Sequence, residues 1–136
     1  GCHFFLFKKK LIICREIIKR NKININLRFN NFFWDNRYEI NIKKNKELLI
    51  KKEMGNSFFI EQLQLKGWKN IISRQKDLKK KINVPNKIIL SLPAIKNKKN
   101  EILFVPHLNY FLDNRNKKKF SNIHFIFKPS MALSNN

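Results

Sequence analysis

Trp34-Asp35-Asn36-Arg37-Tyr38-Glu39-Ile40-Asn41-Ile42 is the stretch on which the fold turns. Tyr38, Ile40 and Ile42 alternate with Arg37, Glu39 and Asn41, the period-two pattern of a strand with one buried face. The Asp-Asn pair before it is turn chemistry, because Asn tolerates the left-handed backbone that Gly otherwise supplies. Such a turn aims Trp34 at the core, lets the Asp35 carboxylate cap turn amides, and starts Arg37 on the polar face of the strand. Upstream, Ile23, Ile25, Leu27 and Phe29 alternate with Asn24, Asn26 and Arg28 in the same way. A half-buried antiparallel β structure is the expectation.

Outward from there, residues 2–7 and 11–15 are rich in aromatic and β-branched side chains and predict two short strands around Lys8-Lys9-Lys10. Lys46–Lys52 predicts another. Past Gly55 the pattern changes. Trp68, Ile71, Ile72, Leu78 and Ile82 fall within an arc of about 120° and predict one amphipathic helix over 68–82 with a basic outer face, Lys79 alone falling inside the arc. A helix over 57–65 is expected before it, with Gly67 separating the two or bending them. Pro85 and Pro93 break any helix, and Ile102–Val105, Leu108–Leu112 and Ile123–Phe127 predict strands. The reading is α+β: a small antiparallel β region over 1–45, then a helix-containing α+β subdomain over 46–136.

Thirty Lys+Arg against nine Asp+Glu give a net charge of +21, while 43% apolar residues suffice for a core and argue against wholesale disorder. The longest uncharged run, Ile102 to Leu112, is short of the roughly 18–20 residues that a membrane-spanning helix needs. No secretory signal pattern opens the sequence, and Gly1 in place of Met suggests a fragment. Lys, Asn, Ile and Phe make up 76 of the 136 residues, and all four use A/T-rich codons. An endosymbiont, an intracellular bacterium or an organelle fits, and part of the charge then reflects codon drift. Cys2 and Cys14 are too few for a disulfide scaffold and read as reduced, half-buried thiols, near each other across the two strands, in a cytoplasm or organelle matrix. His3, His107 and His124 lack the companions of a metal site.

Three glycines build no phosphate cradle, and neither H-E-x-x-H nor C-x-x-C occurs. The nine acids do not pair at a spacing that suggests acid–base catalysis, so no catalytic residue is expected. What remains is a basic surface with interleaved aromatics. Lys8–Lys10, Lys43–Lys46, Lys79–Lys81, Lys96–Lys99 and Lys117–Lys119 sit at expected turns or on an exposed helix face. Such clusters neutralise phosphates and release counterions, giving salt-dependent affinity for RNA. Each run also reads as an ordinary solvated turn, and most of the Phe residues read as core.

Several short words occur in an informative order: Gly1-Cys2, Arg15-Glu16, Trp34-Asp35-Asn36-Arg37, Leu65-x-Gly67-Trp68, Val84-Pro85, Leu92-Pro93-Ala94-Ile95, Val105-Pro106-His107-Leu108 and Phe127-x-Pro129. This order resembles the bacterial tRNA(Ile)-lysidine synthase family in its alphaproteobacterial form, which carries Gly-Cys, Arg-Glu, Trp-Asp-Gly-Arg and similar Pro-containing elements. Asn36 stands where that family has Gly, and Ser130–Leu133 follows its ending only loosely. The resemblance implies a ligase that uses ATP, with magnesium, to attach lysine to the wobble cytidine of isoleucine tRNA. The family's chemistry lies in a domain with a Ser-Gly-Gly-x-Asp-Ser loop, a motif absent from these residues. The resemblance therefore implies the C-terminal, tRNA-binding portion, inactive by itself, with no membrane partner. Arg15, Arg37, Lys69, Lys76 and Lys80 are the expected RNA contacts. A structural RNA-binding protein, such as a divergent organellar ribosomal protein, is the alternative, and a decaying pseudogene product a third reading.

Overall fold

A computed structural model describes residues 2–17, 22–25, 31–42 and 57–129. The elements in order are β1 (Cys2–Phe7), β2 (Lys10–Arg15), β3 (Ile23–Asn24), β4 (Phe32–Trp34), β5 (Tyr38–Ile42), β6 (Phe58–Gln62), α1 (Gln64–Arg74), α2 (Leu78–Lys81), α3 (Asn86–Leu90), β7 (Pro93–Asn97), β8 (Ile102–Val105), a 3-10 turn (Pro106–Leu108), β9 (Tyr110–Phe111), α4 (Asn114–Phe120) and β10 (Ile123–Phe127). The fold is α+β with antiparallel sheets.

Among the described residues three sheets form: β1-β2, β10-β5-β4 and β3-β6-β7-β8-β9. The central one is the five-stranded sheet, which has a core on each face. On one side Ile60, Ile95 and Phe104 meet Trp34, Ile40, Ile42, Phe120 and Ile123 of the three-stranded sheet and α4. On the other, Ala94, Ile102 and Val105 meet Trp68 and Ile71 of α1 and Ile89 of α3. Strand β8 is buried at all four positions, and the register shift at Ile95/Lys96 puts the neighbours Leu103 and Phe104 in one core while Ile102 and Val105 enter the other. Strand β10 pairs with β5 along its full length. Residues on both sides of position 45 thus share a sheet and a core.

The expected hairpin over 2–15 forms, with Phe7 opposite Lys10. Lys8 and Lys9 occupy the turn with φ of 47° and 63°, the left-handed backbone of a two-residue hairpin loop. Asp35 and Asn36 adopt φ of 55° and 53°, as the turn chemistry predicted, with Arg37 N–H donating to Trp34 O at 3.2 Å. Trp34 is fully buried. Strand β10 forms over the expected residues, as does β8. Residues 26–30 and 43–56, which hold the rest of the Ile23–Phe29 alternation and the strand expected at Lys46–Lys52, lie outside the described residues.

Other expectations are corrected. Residues 58–62 form a strand and not a helix, with Phe58, Ile60 and Gln62 buried in alternation. A buried glutamine ends that alternation, and its polarity hides the period from sequence. Gly67 lies inside α1. An added Cβ there would stand 2.9 Å from both Leu63 Cδ1 and Ile102 Cδ1, so the residue permits close helix–sheet contact. The helix expected over 68–82 is two helices, because α1 ends at Gln75 (φ −129°, ψ 79°) and α2 starts at Leu78. The six-residue step from Ile72 to Leu78 is where the stripe breaks, and Lys79 is exposed on the reoriented second piece. Pro85 precedes α3, Pro93 opens β7, and the Leu108–Leu112 strand shrinks to Tyr110–Phe111 beyond a left-handed Asn109. Lys117–Lys119 belong to helix α4, whose N-terminus is capped by Asp113 accepting from Asn116 N–H at 2.8 Å.

Candidate nucleic-acid interface

Cavity and arginine cluster. The β1–β2 hairpin lies beside α3, and its turn reaches the α2–α3 connection through Lys8 Nζ, which donates to Asn83 Oδ1. The inward side of the hairpin carries Phe5, with Lys87 Nζ of α3 5.2 Å from its ring centroid. Between this hairpin, the β4–β5 turn, α3 and the end of β10 is a cavity of about 660 Å³. Ile13, Ile88, Leu92 and Phe127 supply apolar wall, and Arg15 and Arg37 supply charge.

Asp35 organises the two arginines. Its side chain is only 2% exposed. Arg37 Nε and Nη2 both reach its Oδ2 at 2.7 Å, and Arg15 Nη2 stands 3.3 Å from its Oδ1. Arg37 Nη2 also donates to Ser91 O at 3.1 Å, and its guanidinium carbon lies 5.3 Å from the Tyr38 ring centroid and 5.8 Å from that of Trp34. A planar guanidinium held by carboxylate, carbonyl and two rings has little freedom left. One carboxylate against two guanidiniums leaves one net positive charge at the cavity edge. Arg15 Nε is buried and has no hydrogen-bond partner among the described residues.

The thiols differ more than expected: Cys2 is exposed and Cys14 buried. The register places Cys14 opposite His3 and Cys2 opposite Arg15, so the pair is diagonal. Burial pushes the Cys14 thiol up, against the lowering effect of Lys87 and Arg37. His107, edge-on to Tyr38 at 5.2 Å, is held below its ordinary value by loss of solvent and by Arg37. His107 is otherwise exposed.

Basic surface. The expected contacts split into two groups. Arg15 and Arg37 meet at the cavity. Lys69, Lys76 and Lys80 are all exposed and lie elsewhere, on α1, on the α1–α2 connection and on α2. None lines the cavity. Lys79–Lys81 lie just before Asn83, the residue that Lys8 contacts, so the hairpin turn and α2 bring two of the expected lysine clusters together. The other clusters are mixed. Lys98, Lys99, Lys117 and Lys118 are exposed, whereas Lys96 and Lys119 are buried. Lys96 Nζ donates to Gln62 O at 2.9 Å, with Glu61 Oε1 3.9 Å away, and burial pushes its ammonium down while Glu61 opposes. Lys119 Nζ sits 4.7 Å from the Phe58 ring centroid. These two are core residues in character, which cluster counting in a sequence does not reveal.

Most of the words that carry the family resemblance meet here, although Leu65-x-Gly67-Trp68 and Val84-Pro85 do not. Cys2, Arg15, the Asp35–Tyr38 turn, Leu92, Phe127 and Pro129 all line the one cavity, and His107 packs behind it on Tyr38. The signal for Leu92 and Phe127 was in those words, although neither was expected as a site residue. Compared with protein-family models, curated proteins and solved structures, the chain matches none. No helix among the described residues is long and apolar enough to cross a membrane.

Gly67, the one described glycine, is packed in α1 against Leu63 and Ile102.

Proposed function

We propose that the chain is the C-terminal tRNA-binding part of a tRNA(Ile)-lysidine synthase, in a bacterial cytoplasm or an organelle matrix. It holds isoleucine tRNA by phosphate contacts and shape, while a separate ATP-pyrophosphatase domain, using ATP and magnesium, attaches lysine to the wobble cytidine. The observation that supports this reading is that residues 2, 15, 35–37, 92, 127 and 129, from five of the eight words, line one cavity, with His107 of a sixth packed on its Tyr38 wall. The words at 65–68 and 84–85 lie apart from it, in α1 and ahead of α3. The charge of +21 and the exposed lysines of α1, α2 and the hairpin turn supply the electrostatics.

The test is binding of isoleucine tRNA over a range of salt. Lys69, Lys76 and Lys80 are exposed, so changing all three to Gln leaves the core intact, and Gln matches Lys in helix propensity. Three lost phosphate contacts flatten the log K against log salt slope by roughly two to three units. Changing Lys98, Lys99 and Lys118 to Gln is the matched control, restricted to exposed lysines. Equal loss from both variants, with no preference for isoleucine tRNA over an unrelated RNA of similar length, would overturn the reading.

A further inference from the structure

We infer that the cavity between the hairpin, the β4–β5 turn and α3 takes one unpaired nucleotide of the bound RNA, its base among the apolar walls and its phosphate at Arg15 and Arg37. This rests on the RNA-binding reading and adds to it a site and a ligand class. A volume of about 660 Å³ lies in the ordinary range of small-ligand sites. It accommodates a nucleotide but not a base pair with both of its backbones.

Three features point to that chemistry. Phe127 is 60% exposed although its ring meets Tyr38 edge-on at 5.5 Å, so it offers an uncovered aromatic surface at the cavity, as a stacking platform requires. Ile13, 59% exposed, and the half-buried Ile88 and Leu92 line the same cavity and give a base apolar surface. The charged edge is matched to one phosphate: Asp35 offsets one of the two guanidiniums, and Arg15 Nε is a buried donor with no acceptor among the described residues. A phosphate oxygen supplies that acceptor and the compensating charge together. Asp35 in turn keeps both arginines positioned before the RNA arrives, so little ordering is left for binding.

Cys2 reports on occupancy, since it lines the cavity and is exposed while Cys14, the other cysteine of the sequence, is buried. Alkylation of Cys2 by iodoacetamide, read by mass spectrometry, is compared with a short single-stranded RNA, a blunt duplex of the same length, or AMP present. The single strand is expected to slow alkylation about tenfold, and the duplex, held by the surface lysines, less than about twofold. Ile88→Trp fills the cavity and removes the preference for single strands without changing duplex affinity. Should that variant fold poorly, a bulky maleimide on Cys2 of the native protein blocks the opening with the same expected result. Equal protection by both RNAs, or a preference that survives the block, overturns the nucleotide site and leaves the RNA-binding reading standing. Protection by AMP at the concentration at which RNA protects assigns the cavity to free nucleotides and overturns the RNA-borne source. Absence of binding by either RNA overturns both.

Discussion

Asp35→Asn separates the structural from the functional role of the arginine cluster. The carboxylate is 2% exposed, and the side chains of Arg15 and Arg37 are 26% and 18% exposed. The substitution keeps the shape but removes the charge, and it sets an amide N–H₂ among guanidinium donors. Arg37 loses a charge-assisted contact made through two nitrogens at 2.7 Å, for which about 1.5–3 kcal/mol is the usual scale. The longer Arg15 contact at 3.3 Å adds less. Breaking one side of a buried ion pair costs about 3–5 kcal/mol, and partial hydration of both arginines moves this case to the lower end. The expectation is a loss of about 3 kcal/mol in urea unfolding, equivalent to roughly 10 °C in Tm for a chain of this length. Affinity for single-stranded RNA, measured where the variant is still folded, should fall, since the arginines must then be ordered by the RNA itself. A stability loss under about 1 kcal/mol would refute the view that Asp35 holds the cluster together.

Replacing Lys8-Lys9 by Asn-Gly should stabilise the hairpin by about 1–2 kcal/mol, because two lysines leave the left-handed region, and should lower RNA affinity at low salt; calorimetry and filter binding read the two effects. Lys96 has its ammonium pushed down by burial, so between its lowered value and the ordinary 10.5 the unfolded chain binds more protons than the native one. Native stability relative to Lys96→Met should therefore rise with pH across that window, as seen in urea titrations from neutral pH to just below pH 10. The 136 residues incubated with ATP, lysine and unmodified isoleucine tRNA should form no lysidine, and its appearance at the wobble position in nucleoside analysis would place a catalytic site among residues assigned to structure.

Much of the β framework was legible because its periodicity is clean. Tyr38-x-Ile40-x-Ile42 alternates without interruption, and Asp35-Asn36 names its own turn. The failures share a cause, in that polar residues occupy core positions. Gln62 ends the Phe58–Gln62 alternation and donates from Nε2 to Glu16 O at 3.0 Å, so a buried strand end looks like the polar side of a helix. Lys96 and Lys119 bury their stems and lodge their amines against a carbonyl or a ring. Helix α4 is Asn-Arg-Asn-Lys-Lys-Lys-Phe, and its inward residues Asn116, Lys119 and Phe120 include one hydrophobe. Only the Asp113 cap announces it. The cavity was only partly legible: Arg15, Asp35 and Arg37 stand out in sequence, whereas Ile13, Ile88 and Ser91 are unremarkable there, and only the packing of the hairpin against α3 makes them neighbours.

The turn of that hairpin bears on whether the +21 charge is drift or function. Codons for Lys and Asn are both A/T-rich, and the chain holds 24 of one and 20 of the other, so codon bias favours neither strongly. Conformation does favour one. Asn occupies the left-handed positions 36, 100 and 109, where its short side chain lowers the cost. Lys8 and Lys9 sit at two more such positions with φ of 47° and 63°, where Asn or Gly is the less costly residue. Drift alone would let a destabilising lysine be replaced there as readily as anywhere else. Lysine at both positions of a strained turn, beside the exposed lysines of α2, is a local cost in stability, and on the RNA-binding reading proposed above phosphate contacts at that edge would offset it.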